Sequence, residues 1–202
     1  MVYLIRHGQT ALNNAMLLQG RSDHPLNEAG EQQAGRTGEW FHAQGIVFSR
    51  VFASPLRRAV QTAEWIAGGV PIEIDERLIE MDYGPYEGAD LKNPPPEVLA
   101  FFQDFTNHPA PEGMEPLSAI VKRLGAFLEE IRPAVGEGNI LVSTHAIAMK
   151  GALEYLTPDA RGRYWSRNIG NCAVYVTALE DGRYSVPVEL RTDTRAEERD
   201  FR

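Results

Sequence analysis

The chain holds a single cysteine, Cys172, in 202 residues, so it has no intrachain disulfide and the cysteine-rich secreted scaffolds are excluded. Positive charge is also in short supply. Twenty-eight acids face 20 bases, for a formal net charge of −8 and a sequence pI of about 5.2. That balance leaves no electrostatic footprint for DNA, RNA or an anionic membrane, and no nucleic-acid or membrane partner is expected. Long apolar runs are missing too: no window approaches the ~20 residues of a membrane helix. Arg6 breaks the N-terminal apolar run too early for a signal peptide. A reducing cytoplasm is the expected compartment. Several chemistries lack their residues as well. A cysteine phosphatase needs arginine six residues after its cysteine, and that place holds Ala178. There is no Gly-x4-Gly-Lys-Ser/Thr phosphate loop and no His-x-x-x-His pair. No metal and no cofactor is called for.

What is present is an ordinary globular composition, 43% hydrophobic and 24% charged, in a length that suits one domain. Short apolar runs at Val2–Ile5, Val47–Ala53, Ile72–Ile74, Ile140–Ser143 and Ala173–Ala178 read as strands. Several are apolar at every position, the mark of parallel strands covered on both faces. Between them the helical period predicts helices over Asn27–Gln44, Leu56–Ala67, Glu97–Phe105, Pro116–Val135 and Ile147–Leu156, with Gly45, Gly68-Gly69 and Gly136 as stops. The expected fold is a single α/β domain, a mostly parallel sheet with helices on both faces. A last hairpin, Val174–Leu179 to Tyr184–Leu190 turning at Asp181-Gly182, would add an antiparallel edge. The domain is drawn over 1–192. A Pro-rich insertion, 84–117, differs in composition and reads as a cover over something; the charged tail, 193–202, reads as frayed.

Ligands of parallel α/β sheets collect beyond the carboxyl ends of the strands. Those ends carry Arg6-His7-Gly8, then "SPLRRAVQT", then "ERLIEMDYG", then "STHAIAMKG". Two histidines, arginines and a carboxylate would meet at one rim. Guanidinium groups match phosphate oxygens, a neutral imidazole is a nucleophile near pH 7, and a carboxyl can protonate a leaving oxygen. Phosphoryl transfer through a phosphohistidine is the chemistry this set supports. Of the adjacent Arg57 and Arg58, about 100° apart on a helix, only one can face the rim.

The order and spacing of "LIRHGQTALN", "PLNEAGEQQA", "SPLRRAVQTA", "ERLIEMDYGPYEG" and "THA" resemble the histidine phosphatase superfamily, the phosphoglycerate mutase-like group, over nearly the whole chain. The resemblance implies a phosphoglycerate mutase-like fold and a histidine acid phosphatase-type phosphoric monoester hydrolase acting on a small-molecule phosphomonoester. It implies that His7 is the nucleophile, that Arg6, Arg58, His145 and Asn13 hold the phosphate, and that Glu80 is the acid and then the base. Gln19, Gly20 and Ser22 would line the mouth, with a backbone donor at Ala146, where the family usually has glycine. A homodimer is compatible with it.

Cofactor-dependent mutases of this kind place an arginine after the catalytic glutamate, whereas Met81 follows Glu80 here. The insertion has one lysine, Lys92, no arginine and six acids: Glu87, Asp90, Glu97, Asp104, Glu112 and Glu115. The second anion clamp of a mutase is thus missing, and the acids should repel a second anion, favouring neutral, aromatic or cationic leaving groups. The alternatives are a phosphoglycerate mutase-type phosphoryl transfer and a non-catalytic phosphate-binding pseudoenzyme. Asp82 competes with Glu80 as proton donor. Phe101, Phe102 and Phe105 read as core rather than ligand contacts, Cys172 as a buried apolar residue, and His24, His42 and His108 as surface or loop residues.

Overall fold

The computed structural model describes residues 1–192, so the tail at 193–202 lies outside the described residues. Six strands, β1 (Val2–Arg6), β2 (Phe48–Ala53), β3 (Ile72–Ile74), β4 (Asn139–Thr144), β5 (Val174–Thr177) and β8 (Val188–Leu190), form one sheet in the order β3-β2-β4-β1-β5-β8. The first four run parallel. Alternation along β1 shows why it must be covered twice: Val2 and Leu4 enter one apolar cluster, Tyr3 and Ile5 the other. Each such side chain contributes about 1.5–3 kcal/mol on burial. One face is covered by α4 (Pro96–Gln103), α5 (Leu117–Ile131) and α6 (Ala146–Leu156), and the other by α2 (Glu28–Ala43) and α3 (Arg57–Ile66). Asn27 caps α2, its side chain accepting from the Gly30 N–H at 2.8 Å.

The structure departs from the expectations in four places. β5 is antiparallel to β1; a four-residue apolar run looks the same in either direction. The last hairpin is divided. Asp181 and Gly182, with φ of 49° and 73°, turn a small ribbon of β6 (Leu179–Glu180) and β7 (Arg183–Tyr184), as a type I′ turn requires, and the chain then returns as the edge strand β8 beside β5. The helix expected to reach Val135 stops at Ile131 and continues as a 3₁₀ turn, Arg132–Gly136, because Pro133 offers no N–H and crowds the carbonyl four residues back. A short α1 (Ala11–Ala15) went unread; its five residues bury nothing and leave no periodic signal.

The strand order puts β1 beside β4 with Arg6 opposite Thr144. The next residue of each strand is a histidine.

Candidate active site

Backbone register, more than side-chain chemistry, brings the groups together. The His7 N–H donates to the Thr144 carbonyl at 3.0 Å, which sets the His7 and His145 rings edge to face with centroids 5.1 Å apart. Both are buried. His7 Nδ1 lies 2.7 Å from its neighbour's carbonyl, Gly8 O. A carbonyl only accepts, so the proton sits on Nδ1 and Nε2 keeps its lone pair. Burial first, then the charges of Arg58 and Arg6, holds the His7 pKa well below the usual imidazole value, so the ring is neutral at physiological pH. His145 is depressed likewise, by burial and then by Arg58 and His7.

Arg58 is wholly buried while Arg57 is exposed, which resolves the pair. Its guanidinium donates to Gly20 O at 2.6 Å, Ser22 O at 2.8 Å and His145 Nδ1 at 3.2 Å. Burial lowers its pKa to about 10, and it stays cationic. Because His145 Nδ1 accepts, its Nε2 carries the proton and donates to Ser54 Oγ at 2.7 Å. Arg6 donates to the Ile169 carbonyl.

Glu80 is buried, and its carboxylate receives three backbone N–H groups: Met81 at 2.8 Å, Ala148 at 2.9 Å and Ile147 at 3.2 Å. The last two belong to the first turn of α6, where orphan donors and the helix dipole favour an acid. The preceding N–H, that of the half-buried Ala146, has no hydrogen-bond partner among the described residues. Asp82 points elsewhere; half-exposed, it pairs with Arg21 at 3.1 Å.

The mouth is built by side chains that orient one another. Thr10 Oγ1 accepts from the Asn13 N–H at 3.2 Å and donates to Gln19 Oε1 at 2.7 Å, while Asn13 Oδ1 accepts from the Thr10 N–H at 3.3 Å. Both amide oxygens are thereby occupied, and the NH₂ groups are left to donate. Gln19 Nε2 is buried with no hydrogen-bond partner among the described residues. Gly20 and Ser22 are held by Glu87, which takes the Gly20 N–H on both oxygens at 2.9 and 3.0 Å and the Ser22 hydroxyl at 2.5 Å. Behind them the Arg6-to-Thr10 loop rests on α2. A Cβ on Gly30 would come 2.1 Å from Gln9 O, so only glycine lets the two segments touch.

All ten residues singled out in the sequence therefore stand in one place or support it. Four more were not foreseen: Thr10, Ser54, Lys150 and Asn171, whose Nδ2 donates to His7 O at 3.0 Å across 164 residues. Thr10, Ser54 and Lys150 lie inside the quoted segments, but only the contacts that folding gives them, with Gln19, His145 and the Trp165 carbonyl, set their roles. Phe101 and Phe105 are core, with Phe102 packed at the edge. A hollow of about 590 Å³ between α2 and α3, walled by Phe48 and Trp65, lies at the opposite ends of the strands and holds none of these groups. Among the described residues no cluster of three or more His, Cys, Asp or Glu is placed to hold a metal, and no helix is long and apolar enough to cross a membrane.

This arrangement matches known proteins. The model of the histidine phosphatase superfamily (branch 1) matches residues 2–189. A 2,3-bisphosphoglycerate-dependent phosphoglycerate mutase of Nitrobacter winogradskyi is 32% identical, over 79% of this chain and 83% of its own length. Phosphoserine phosphatase 1 of Hydrogenobacter thermophilus is 26% identical, over 89% of this chain and 87% of its own. Among solved structures, the phosphoserine phosphatase of Entamoeba histolytica in complex with 3-phosphoglyceric acid shares the fold, with a TM-score of 0.82 at 24% identity over 96% of this chain and 98% of that one.

Proposed function

The chain belongs to the histidine phosphatase superfamily, branch 1, and we propose that within it the protein hydrolyses a small phosphomonoester, without a metal ion, through a phosphohistidine on His7. One observation carries the reading: a buried, neutral imidazole whose Nδ1 proton is tied to Gly8 O faces two guanidinium groups, a second histidine and a carboxyl. His7 Nε2 attacks phosphorus, the P–N bond forms as the ester P–O bond breaks, and Glu80 delivers a proton to the departing alkoxide. Arg6, Arg58, Asn13, Gln19 and the free N–H of Ala146 neutralise or bond the three equatorial oxygens, and His145, its ring nitrogens engaged by Arg58 and Ser54, fixes the Arg58 fork beside them. Water then attacks the phosphohistidine, gives its proton to the Glu80 carboxylate, and inorganic phosphate leaves. The phosphoserine phosphatase relative supports hydrolysis as the outcome. A reducing cytoplasm suits the lone Cys172 thiol, buried and pushed up to about 12 by that burial.

The mutase relative supports a second reading, in which the phosphohistidine returns its phosphoryl group to a bound intermediate. Against it, the residue after Glu80 is Met81, fully buried in the core, so this position supplies no cation to the pocket.

The test is hydrolysis of p-nitrophenyl phosphate. Activity should survive EDTA, fall with vanadate and vanish in His7→Ala, and acid-labile, alkali-stable phosphate should be trapped on the wild-type protein. Loss of activity to the chelator, or its survival in His7→Ala, overturns the proposal. Rapid formation of 2-phosphoglycerate from 3-phosphoglycerate with catalytic 2,3-bisphosphoglycerate would favour the mutase.

A further inference from the structure

Lysine is almost never fully buried without a partner of opposite charge, yet Lys150, in α6, is only 8% exposed. Among the described residues no carboxylate lies within ion-pair distance of it. Its ammonium donates to the Trp165 carbonyl at 2.7 Å and stands 5.0 Å from the centroid of the Phe105 ring. One hydrogen-bond acceptor and one ring face leave two N–H donors without a partner among the described residues, and only the field of Glu80 and the ring face offset the charge.

Its position explains what could compensate it. Lys150 follows Ala146 by four residues, so the two share one face of α6, and helical side chains lean toward the N-terminus of their helix. The lysine therefore reaches back along the face that ends at the Ala146 N–H. Arg6 anchors to the same loop as Lys150, through Ile169 O where the lysine uses Trp165 O. Glu80 and Arg6 are the charged groups whose fields Lys150 feels. Phe105, under the ammonium, belongs to the insertion. Lys150 is thus at the junction of the phosphate end and the insertion, where the alcohol half of an ester bound to His7 would lie.

The acids that argued against an anion there have other work. Glu87 clamps Gly20 and Ser22. Glu115 is held by Arg123 at 2.8 Å and Arg21 at 3.4 Å. Asp90 and Asp104 cap turns at Lys92 and Asn107, and the exposed Glu97 takes the Tyr86 hydroxyl. The repulsive wall expected from composition is largely absorbed into the structure, and among the described residues the one buried cation beyond the phosphate end is Lys150.

We propose that Lys150 is a specificity-determining residue that receives an anionic group, a carboxylate or its equivalent, on the leaving-group half of the substrate. The proposal rests on the hydrolase reading above and deepens it. Burial lowers the lysine pKa to about 8, the cost of a charge held in a dry site, and a bound anion would reverse that shift.

Two esters that differ by one group test it: 3-phosphoglycerate, and glycerol 3-phosphate, in which the carboxylate is replaced by a hydroxymethyl. At pH 7 the wild-type protein should favour the carboxylate ester at least tenfold in kcat/KM, about 1.4 kcal/mol. Lys150→Met should bring the ratio close to one, and Lys150→Arg should keep most of it. A lysine that only props up the Trp165 carbonyl would change the melting temperature and leave the ratio alone. A wild-type ratio near one, or a ratio unchanged in folded Lys150→Met, overturns the proposal, and the first of these needs no variant to fold. Should p-nitrophenyl phosphate and both esters resist hydrolysis, the hydrolase reading falls. Calorimetric binding of the same two esters to the wild-type and Lys150→Met proteins then decides the role of Lys150 on its own.

Discussion

Two neutral histidines sealed in one site should make the protein acid-sensitive in a particular pH range. His7 is 4% exposed and His145 not at all, and burial, reinforced by Arg58, depresses both pKa values well below the ordinary one. In the unfolded chain each returns to about 6.5. Below that pH the unfolded state binds protons that the folded state refuses, so unfolding takes up protons and stability falls as pH falls, until the folded-state pKa values are reached. Each histidine contributes about 1.4 kcal/mol per pH unit. Both together cost roughly 3–4 kcal/mol between pH 6.5 and 5, a large part of the ~5–15 kcal/mol typical of a domain. Asp75, whose pKa is lowered by its hydrogen bonds and charge pairing with Arg77 against the opposing effect of burial, loses its contribution only under about pH 4, outside this window. Urea melts at intervals from pH 7.5 to 5.0 measure the effect. The slope of the unfolding free energy should approach two protons below pH 6, and one in His145→Asn. A stability that stays flat from pH 6.5 to 5 would show that the rings are solvated or already charged, and the neutral nucleophile would go with it.

Glu80→Gln should slow esters of poorly leaving aliphatic alcohols by at least tenfold more than p-nitrophenyl phosphate, whose phenolate needs no proton, while Asp82→Asn, which breaks only a half-exposed pair with Arg21, should leave that ratio unchanged. Steady-state kinetics on both esters decides between the two acids. Arg58→Ala strands the carbonyls of Gly20 and Ser22 and should cost about 3–5 kcal/mol in a chemical melt. Arg58→Lys should recover little, because an ammonium cannot reproduce the fork that meets Gly20, Ser22 and His145 together. In Gly30→Ala the new Cβ, 2.1 Å from Gln9 O, must push α2 off the Arg6-to-Thr10 loop; a loss of about 1–3 kcal/mol with a raised KM is expected, and an unchanged thermal melt would count against that contact.

The fold class and the five main helices were legible because strand and helix periods and their stops are local properties of the chain. The convergence of Arg6, His7, Arg58 and His145 was legible for a different reason: each ends a strand or opens a helix, and strand ends in such sheets meet at one rim. For the side-chain contacts the sequence left silent, the missing quantity was a distance between separate segments. Nothing near Asn171 hints that it will hold the His7 carbonyl, and nothing near Thr10 says that Gln19 lies within hydrogen-bond reach. The direction of β5 was hidden because burial on both faces erases the alternation that separates parallel from antiparallel strands. Charge is the least local of these properties. Six acids in the insertion form a repulsive wall when counted, but charge acts through position, and tertiary contacts turned Glu87 and Glu115 into clamps while α6 carried Lys150 inward. Composition set how many charges the chain has; packing decided which of them are already met by a partner, because a charge met by a partner or by water has little field left to offer.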